Sequence, residues 1–216
     1  LSSLIITTFV IIAYRTRPIY APIEIDNLER YRGQIEPIRK SVIIAIAIGL
    51  FYFAGSSGSH LWETWLQFKN STNFGVKDAQ FGKDISFYAF KLPMYQSLLS
   101  WAISVVILTL IISAGVHYLY GGIRPQVRED RTTVAARVQL SILLGALVML
   151  KAAAYWLDRY NLALKQGKLI TGLAYTDVNA TLPAKAILAG IAVICALLFF
   201  ANIVRRSWVL PAAGTA

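Results

Sequence analysis

The strongest constraint on this chain is a set of long apolar runs separated by short polar connectors. A helix needs about 20 mainly apolar residues to cross a hydrocarbon core about 30 Å thick. Four runs reach or approach that length: 41–61, 98–120, 138–160 and 184–204. A fifth stretch, about 1–14, is too short to span, and it lacks the basic start and small-residue cleavage site of a signal peptide. It reads as the tail of a helix whose beginning is missing. The expected fold is therefore all-α, a polytopic α-helical transmembrane bundle with four complete helices and one truncated helix. Inner loops 15–40 and 121–137 and outer loops 62–97 and 161–183 connect them, and the whole of 1–216 reads as part of one transmembrane domain.

Charged residues make up only 15% of the chain, against about a quarter in soluble domains. The formal charge of +10 could suggest nucleic acid, but the basic residues lie between apolar runs and form no single patch. Membrane topology accounts for them. With alternating sides, Arg15, Arg17, Arg30, Arg32, Arg39, Lys40, Arg124, Arg128, Arg131, Arg137, Arg205 and Arg206 share one side, 12 of the 21 Lys and Arg. The remaining 9 spread over the longer loops of the other side. The first side is therefore expected to be cytoplasmic, which puts the protein in an inner membrane with several passes. Trp62, Trp65, Trp101 and Trp156 then fall near the outer interface and Trp208 near the inner one, where an amphipathic ring is favoured. All seven prolines, Pro93 and Pro183 among them, fall between runs or at their edges, and Pro183 suits a first helical turn.

The first outer loop carries Phe74-Gly75 with Asp78, then Phe81-Gly82 with Asp84. Each Gly permits a turn after an aromatic, and each Asp can cap a helix or close an Asx-turn. Asp84 is expected to be an N-cap, with Phe87, Tyr88 and Phe90 along the bilayer interface. Two carboxylates are too few for a calcium site. In the second outer region Lys151 and Asp158 are seven residues apart, which is two helical turns, so they share a face. The ammonium can snorkel towards Asp158 or find a partner on another helix. Lys151, Asp158, Arg159, Tyr175, Asp177 and Asn179 form a candidate polar cluster, with Thr176, Asp177 and Asn179 read as capping and turn residues. Catalysis would need a nucleophile, a base and a stabiliser to converge, and no such set is marked. His60 and His117 lie at opposite ends of different helices, so they cannot share a metal and read as interfacial polar groups. The single Cys195 lies in an apolar run, which excludes a disulfide framework or a Cys-based metal site.

Several strings together resemble one bacterial group. They are Ala136-Arg137-Val138-Gln139-Leu140-Ser141, Leu150 through Tyr160, Tyr175-Thr176-Asp177-Val178-Asn179-Ala180 with Leu182-Pro183, the outer loop from Phe74-Gly75 to Leu92-Pro93, and Tyr14-Arg15-Thr16-Arg17-Pro18. They look like uncharacterised protein family 0182. Ala79 departs from a usual Pro and Leu173 from a small residue. The resemblance implies large bacterial membrane proteins with about seven N-terminal helices, followed by a long extracytoplasmic domain that this sequence lacks. It carries no established activity and no catalytic residues.

The resulting expectation is a non-enzymatic membrane anchor or scaffold for an extracytoplasmic domain or envelope complex. Its partners would be the lipid bilayer and membrane or envelope proteins, with no nucleic acid, cofactor or metal. The alternative is a transporter or lipid-handling protein with a polar outer vestibule around Lys151 and Asp177. An intramembrane enzyme using Lys151 with Asp158 or Asp177 ranks third.

Overall fold

The computed structural model describes residues 2–16, 41, 44, 48, 61–124, 132–165 and 172–205, the side chains of 203–205 excepted. Most of the expected span 41–61 and of the inner loop 15–40 lies outside these residues, as do His60, Arg206 and Trp208. Among the described residues the chain is all-α. Its only β features are two isolated bridges, Lys77 with Asp84 and Ile123 with Thr132.

The main helices are α1 (Ser2–Arg15), α2 (Leu92–Leu119), α3 (Val134–Asn161) and α4 (Leu182–Arg205). Together with the turns that continue them, the last three form stretches of 33, 31 and 26 residues, Phe87–Leu119, Val134–Leu164 and Asp177–Asn202. All three are long and apolar enough to cross a membrane. Each exceeds the roughly 20 residues a crossing needs. On α4, Ile187, Ile191 and Ile194 are exposed at helical spacing. Such a stripe would be an aggregation liability in water and is the natural surface towards lipid.

The helices start earlier than their apolar runs. α2 with its preceding turn begins well before 98 and α3 begins before 138; separately, 61–69 is helical past the end of the run 41–61, where the outer loop was expected. Caps, not hydrophobicity, set these starts. Asp84 accepts the N–H of Ser86 at 2.9 Å, and Thr133 Oγ1 accepts the N–H of Ala136 at 3.3 Å, each satisfying an otherwise unpaired first-turn donor.

Pro93 and Pro183 prove to lie inside continuous helix, with helical residues from 85 and from 175 respectively. Both follow a π-helical turn, Phe87–Lys91 and Asp177–Thr181, in which Leu92 N–H bonds the Phe87 carbonyl and Leu182 N–H the Asp177 carbonyl. A proline ring clashes with the carbonyl four residues earlier and leaves it without a donor. The wider π turn relieves that conflict just before each proline, so the helix continues.

The described residues fall into two compact units. One gathers those within Leu1–Ser56, Ser104–Ala146 and Leu197–Ala216. Its core takes Ile6, Val10 and Ala13 from one face of α1, Val105, Thr109, Ser113 and His117 from a four-residue stripe on α2, and Phe199 and Asn202 from α4. The second gathers Ser57–Ile103 and Leu147–Ala196 and buries Tyr88, Leu92, Ala152, Leu162, Leu182 and Ala189.

Candidate functional site

In the second unit the two aspartates of the first outer loop organise its backbone. Asp84 accepts the N–H of Phe74 at 3.1 Å and of Gly75 at 2.9 Å, besides its bond to Ser86. Asp78 accepts the N–H of Phe81 at 2.8 Å and the hydroxyl of Tyr88 at 3.2 Å. Gly75 and Gly82 take φ of 76° and 62°, the left-handed region that a side chain disfavours. The N–H donors of Ser86, Phe74 and Gly75 stabilise the charged form of Asp84 and hold its carboxyl down at about 2. Both carboxylates are consumed in holding the loop. Phe87, Tyr88 and Phe90, expected along the bilayer interface, lie in the π turn that leads into α2, with Tyr88 buried. Phe81, Phe87 and Tyr88 gather around Tyr160 of α3 at ring separations of 4.9, 5.2 and 6.5 Å, and Phe74 meets Phe90 at 5.6 Å.

The expected polar cluster divides into separate pairs. Asp158 takes Lys185 of α4 at 3.4 Å, not Lys151. Asp177 takes Lys165 at 3.2 Å and turns back to accept the N–H of Ala174 at 3.2 Å, which is the reciprocal half of a capping box three residues into the helix. Asn179 donates to the Tyr175 carbonyl at 2.9 Å, while the Tyr175 side chain is 83% exposed. Arg159 stacks its guanidinium 4.4 Å over the Trp156 ring. Lys151 is exposed on α3. Lys185 is the residue that sequence reasoning missed. Its own helix α4 carries no acid, and only the approach of α3 to α4 brings Asp158 within reach.

The first unit holds a polar clamp that the sequence did not single out. Gln139 of α3 is buried; its Oε1 accepts from His117 Nε2 at 3.0 Å, and its amide N–H donates to the Phe9 carbonyl of α1 at 2.8 Å. Its amide also lies 3.4 Å from the Ser113 hydroxyl. One side chain thus joins three helices. His117 is therefore not the interfacial group expected from its position. It is 1% exposed, because the run it ends packs against α3 along the stripe Thr109, Ser113 and His117. The His117 carbonyl closes the helix end, accepting N–H from Gly122 at 2.6 Å and Ile123 at 3.1 Å. Gly121 stands at φ 72°, as a left-handed helix stop requires. On another face of α3, Ser141 accepts from buried Asn202 of α4 at 2.8 Å. Close by, a Cβ on Gly145 would stand 2.8 Å from the Phe200 ring. Among the described residues no three His, Cys, Asp or Glu side chains gather as a metal site would need.

The comparisons with known proteins agree on one group. A family model described as "Uncharacterised protein family (UPF0182)" matches residues 1–216. A UPF0182 protein of Nocardioides sp. (strain ATCC BAA-499 / JS614) is 49% identical over 216 residues, covering 99% of this chain and 22% of that protein. One from Frankia alni is 46% identical over 214 residues, covering 98% and 21%. One from Streptomyces coelicolor is 49% identical over 210 residues, covering 94% and 21%. The chain spans about a fifth of the length of the curated relatives it matches. No solved structure matches.

Proposed function

The chain belongs to the uncharacterised protein family UPF0182, and on that footing we propose that it is a non-enzymatic, multi-pass anchor in a bacterial inner membrane, presenting a docking platform to envelope proteins. The observation that carries this reading is the first outer loop. Asp78 and Asp84 spend their carboxylates on loop backbone and on Tyr88, leaving a fixed surface on which Phe74, Val76 and Ile85 stay exposed. Ordered apolar side chains on a rigid loop suit recognition, because little conformational entropy is lost on binding. The test is affinity isolation of the full-length protein in mild detergent. Stoichiometric partners are expected with the wild type and are lost when Val76→Glu places a charge on the platform. Repeated recovery of the protein alone from native membranes removes the reading.

A transporting or lipid-handling role is the second reading. Its vestibule of Lys151 and Asp177 gains little from the geometry, since Asp177 is engaged by Lys165 and Lys151 lies exposed on α3. What favours it is the buried Gln139 clamp, because polar groups at membrane depth are costly and often functional. Gln139→Leu that abolishes complementation of a null strain, at unchanged protein level and partner recovery, supports this second reading over the first.

A further inference from the structure

Two cations on α3 in the second unit stand apart from the ion pairs of the described residues around them. On residues 147–165 and 172–196 the carboxylates are Asp158 and Asp177, and each already has its own lysine, Lys185 and Lys165. That leaves Lys151 and Arg159. Both lie on α3 within the spanning stretch Val134–Leu164, and with Tyr155 they recur every four residues, so they share one face. Trp156 borders that face, is itself 50% exposed, and supports the Arg159 guanidinium from below its plane at 4.4 Å. The Arg159 Nε is buried and meets no acceptor. A cation at membrane depth without a counter-ion is costly, and Arg159 carries a fork of donors suited to a phosphate.

We infer that the Lys151, Tyr155, Trp156 and Arg159 face of α3 is a binding site for the headgroup of an anionic phospholipid. Arg159, near the end of the helix, takes the phosphate in its guanidinium fork. Lys151 is eight residues deeper, about 12 Å along the axis. Its long stem extends the ammonium back towards the same lipid's phosphate and ester carbonyls. Trp156 packs on the glycerol and upper acyl region, where an indole is most at home. Charge complementarity selects the occupant: two unneutralised cations at two depths on a surface otherwise suited to lipid match one anionic headgroup. The inference requires only that α3 crosses the bilayer, and it holds whether or not the outer loop docks a protein.

The experiment uses the full-length protein in mild detergent, titrated with phosphatidylglycerol or phosphatidylcholine, with bound lipid counted by native mass spectrometry. Phosphatidylglycerol is expected to be retained in preference to phosphatidylcholine, and inorganic phosphate at equal concentration should not displace it. The pair Lys151→Gln and Arg159→Gln should weaken retention about thirtyfold, the product of two surface cations acting on an anionic lipid. Lys77→Gln with Lys83→Gln removes the same charge from the exposed loop and should leave retention unchanged. The swap of Lys151→Arg with Arg159→Lys keeps both charges and should keep the lipid. Equal retention of the two lipids by the wild type overturns the inference. So does undiminished phosphatidylglycerol binding by the Gln pair, which would be the result if these cations serve an acidic protein partner instead. Should the Gln pair fail to fold, Arg159→Gln alone is judged by the same criterion.

Discussion

At the scale of single residues, this chain places polar side chains where each satisfies several polar groups at once. Gln139 is the clearest case: His117 of α2 and a carbonyl of α1 both depend on its amide. Replacing it by Leu leaves those groups unpaired in a buried setting. Gln139→Leu should cost about 1–2 kcal/mol, read as a lowered midpoint of thermal unfolding in detergent. Ser113→Ala should cost less, because its 3.4 Å contact with Gln139 is the longest of the set. Asp84 makes a prediction about pH. Its carboxyl is held at about 2, below the ordinary 3.8, first by the Ser86 N–H and hydroxyl and then by the N–H groups of Phe74 and Gly75. A lowered folded-state value means the stabilisation is complete above the ordinary carboxylate range and is lost as pH falls through the lowered one. The amide resonance of ¹⁵N-labelled Gly75 should therefore hold steady from neutral pH to about 4 and move only as pH approaches about 2. Movement centred near the ordinary value would mean that the donors do not reach the carboxylate.

At the scale of elements, the apolar runs indicated where helices lie, while the helix starts were legible only through their caps. Asp84 was readable as a cap because Asp before a helical stretch is a local signal. The continuation of helix through Pro93 and Pro183 was not readable, since a proline ordinarily marks an edge, and the π turns that admit it show no compositional mark. Asp177 was legible as a capping residue, but its pairing with Lys165 joins positions on either side of a loop and leaves no periodic trace. Helix contacts add a further prediction. Gly145 lets α3 approach the Phe200 ring of α4 so closely that a Cβ would stand 2.8 Å away. Gly145→Leu should destabilise by about 1–3 kcal/mol through overpacking, and Phe200→Ala in the same chain should recover part of that loss. Thermal unfolding of the single and double variants measures both effects, and an additive double variant would show that the two positions do not press on each other.

At the scale of the whole molecule, the distribution of Lys and Arg makes a prediction about which helix ends face the cytosol. By the excess of Arg in short connectors, 121–137 is expected inside and 62–97 outside. In a Cys195→Ser background, Lys83→Cys should react with a membrane-impermeant maleimide in intact cells, and Arg124→Cys only after permeabilisation. The reverse pattern inverts the sidedness, and with it the place of the docking loop. What the amino-acid sequence determined by itself is the all-α class and, among the described residues, the stretches long and apolar enough to cross a membrane. Transfer to lipid is nearly additive along the chain, so it can be summed over a window of neighbours. Only the tertiary structure decided which charges meet, that Lys185 and not Lys151 answers Asp158, and that His117 is buried against Gln139. Those outcomes depend on which helix faces turn towards each other. Sequence separation says little about that, because one rotation of a helix by a single residue exchanges every partner along its length.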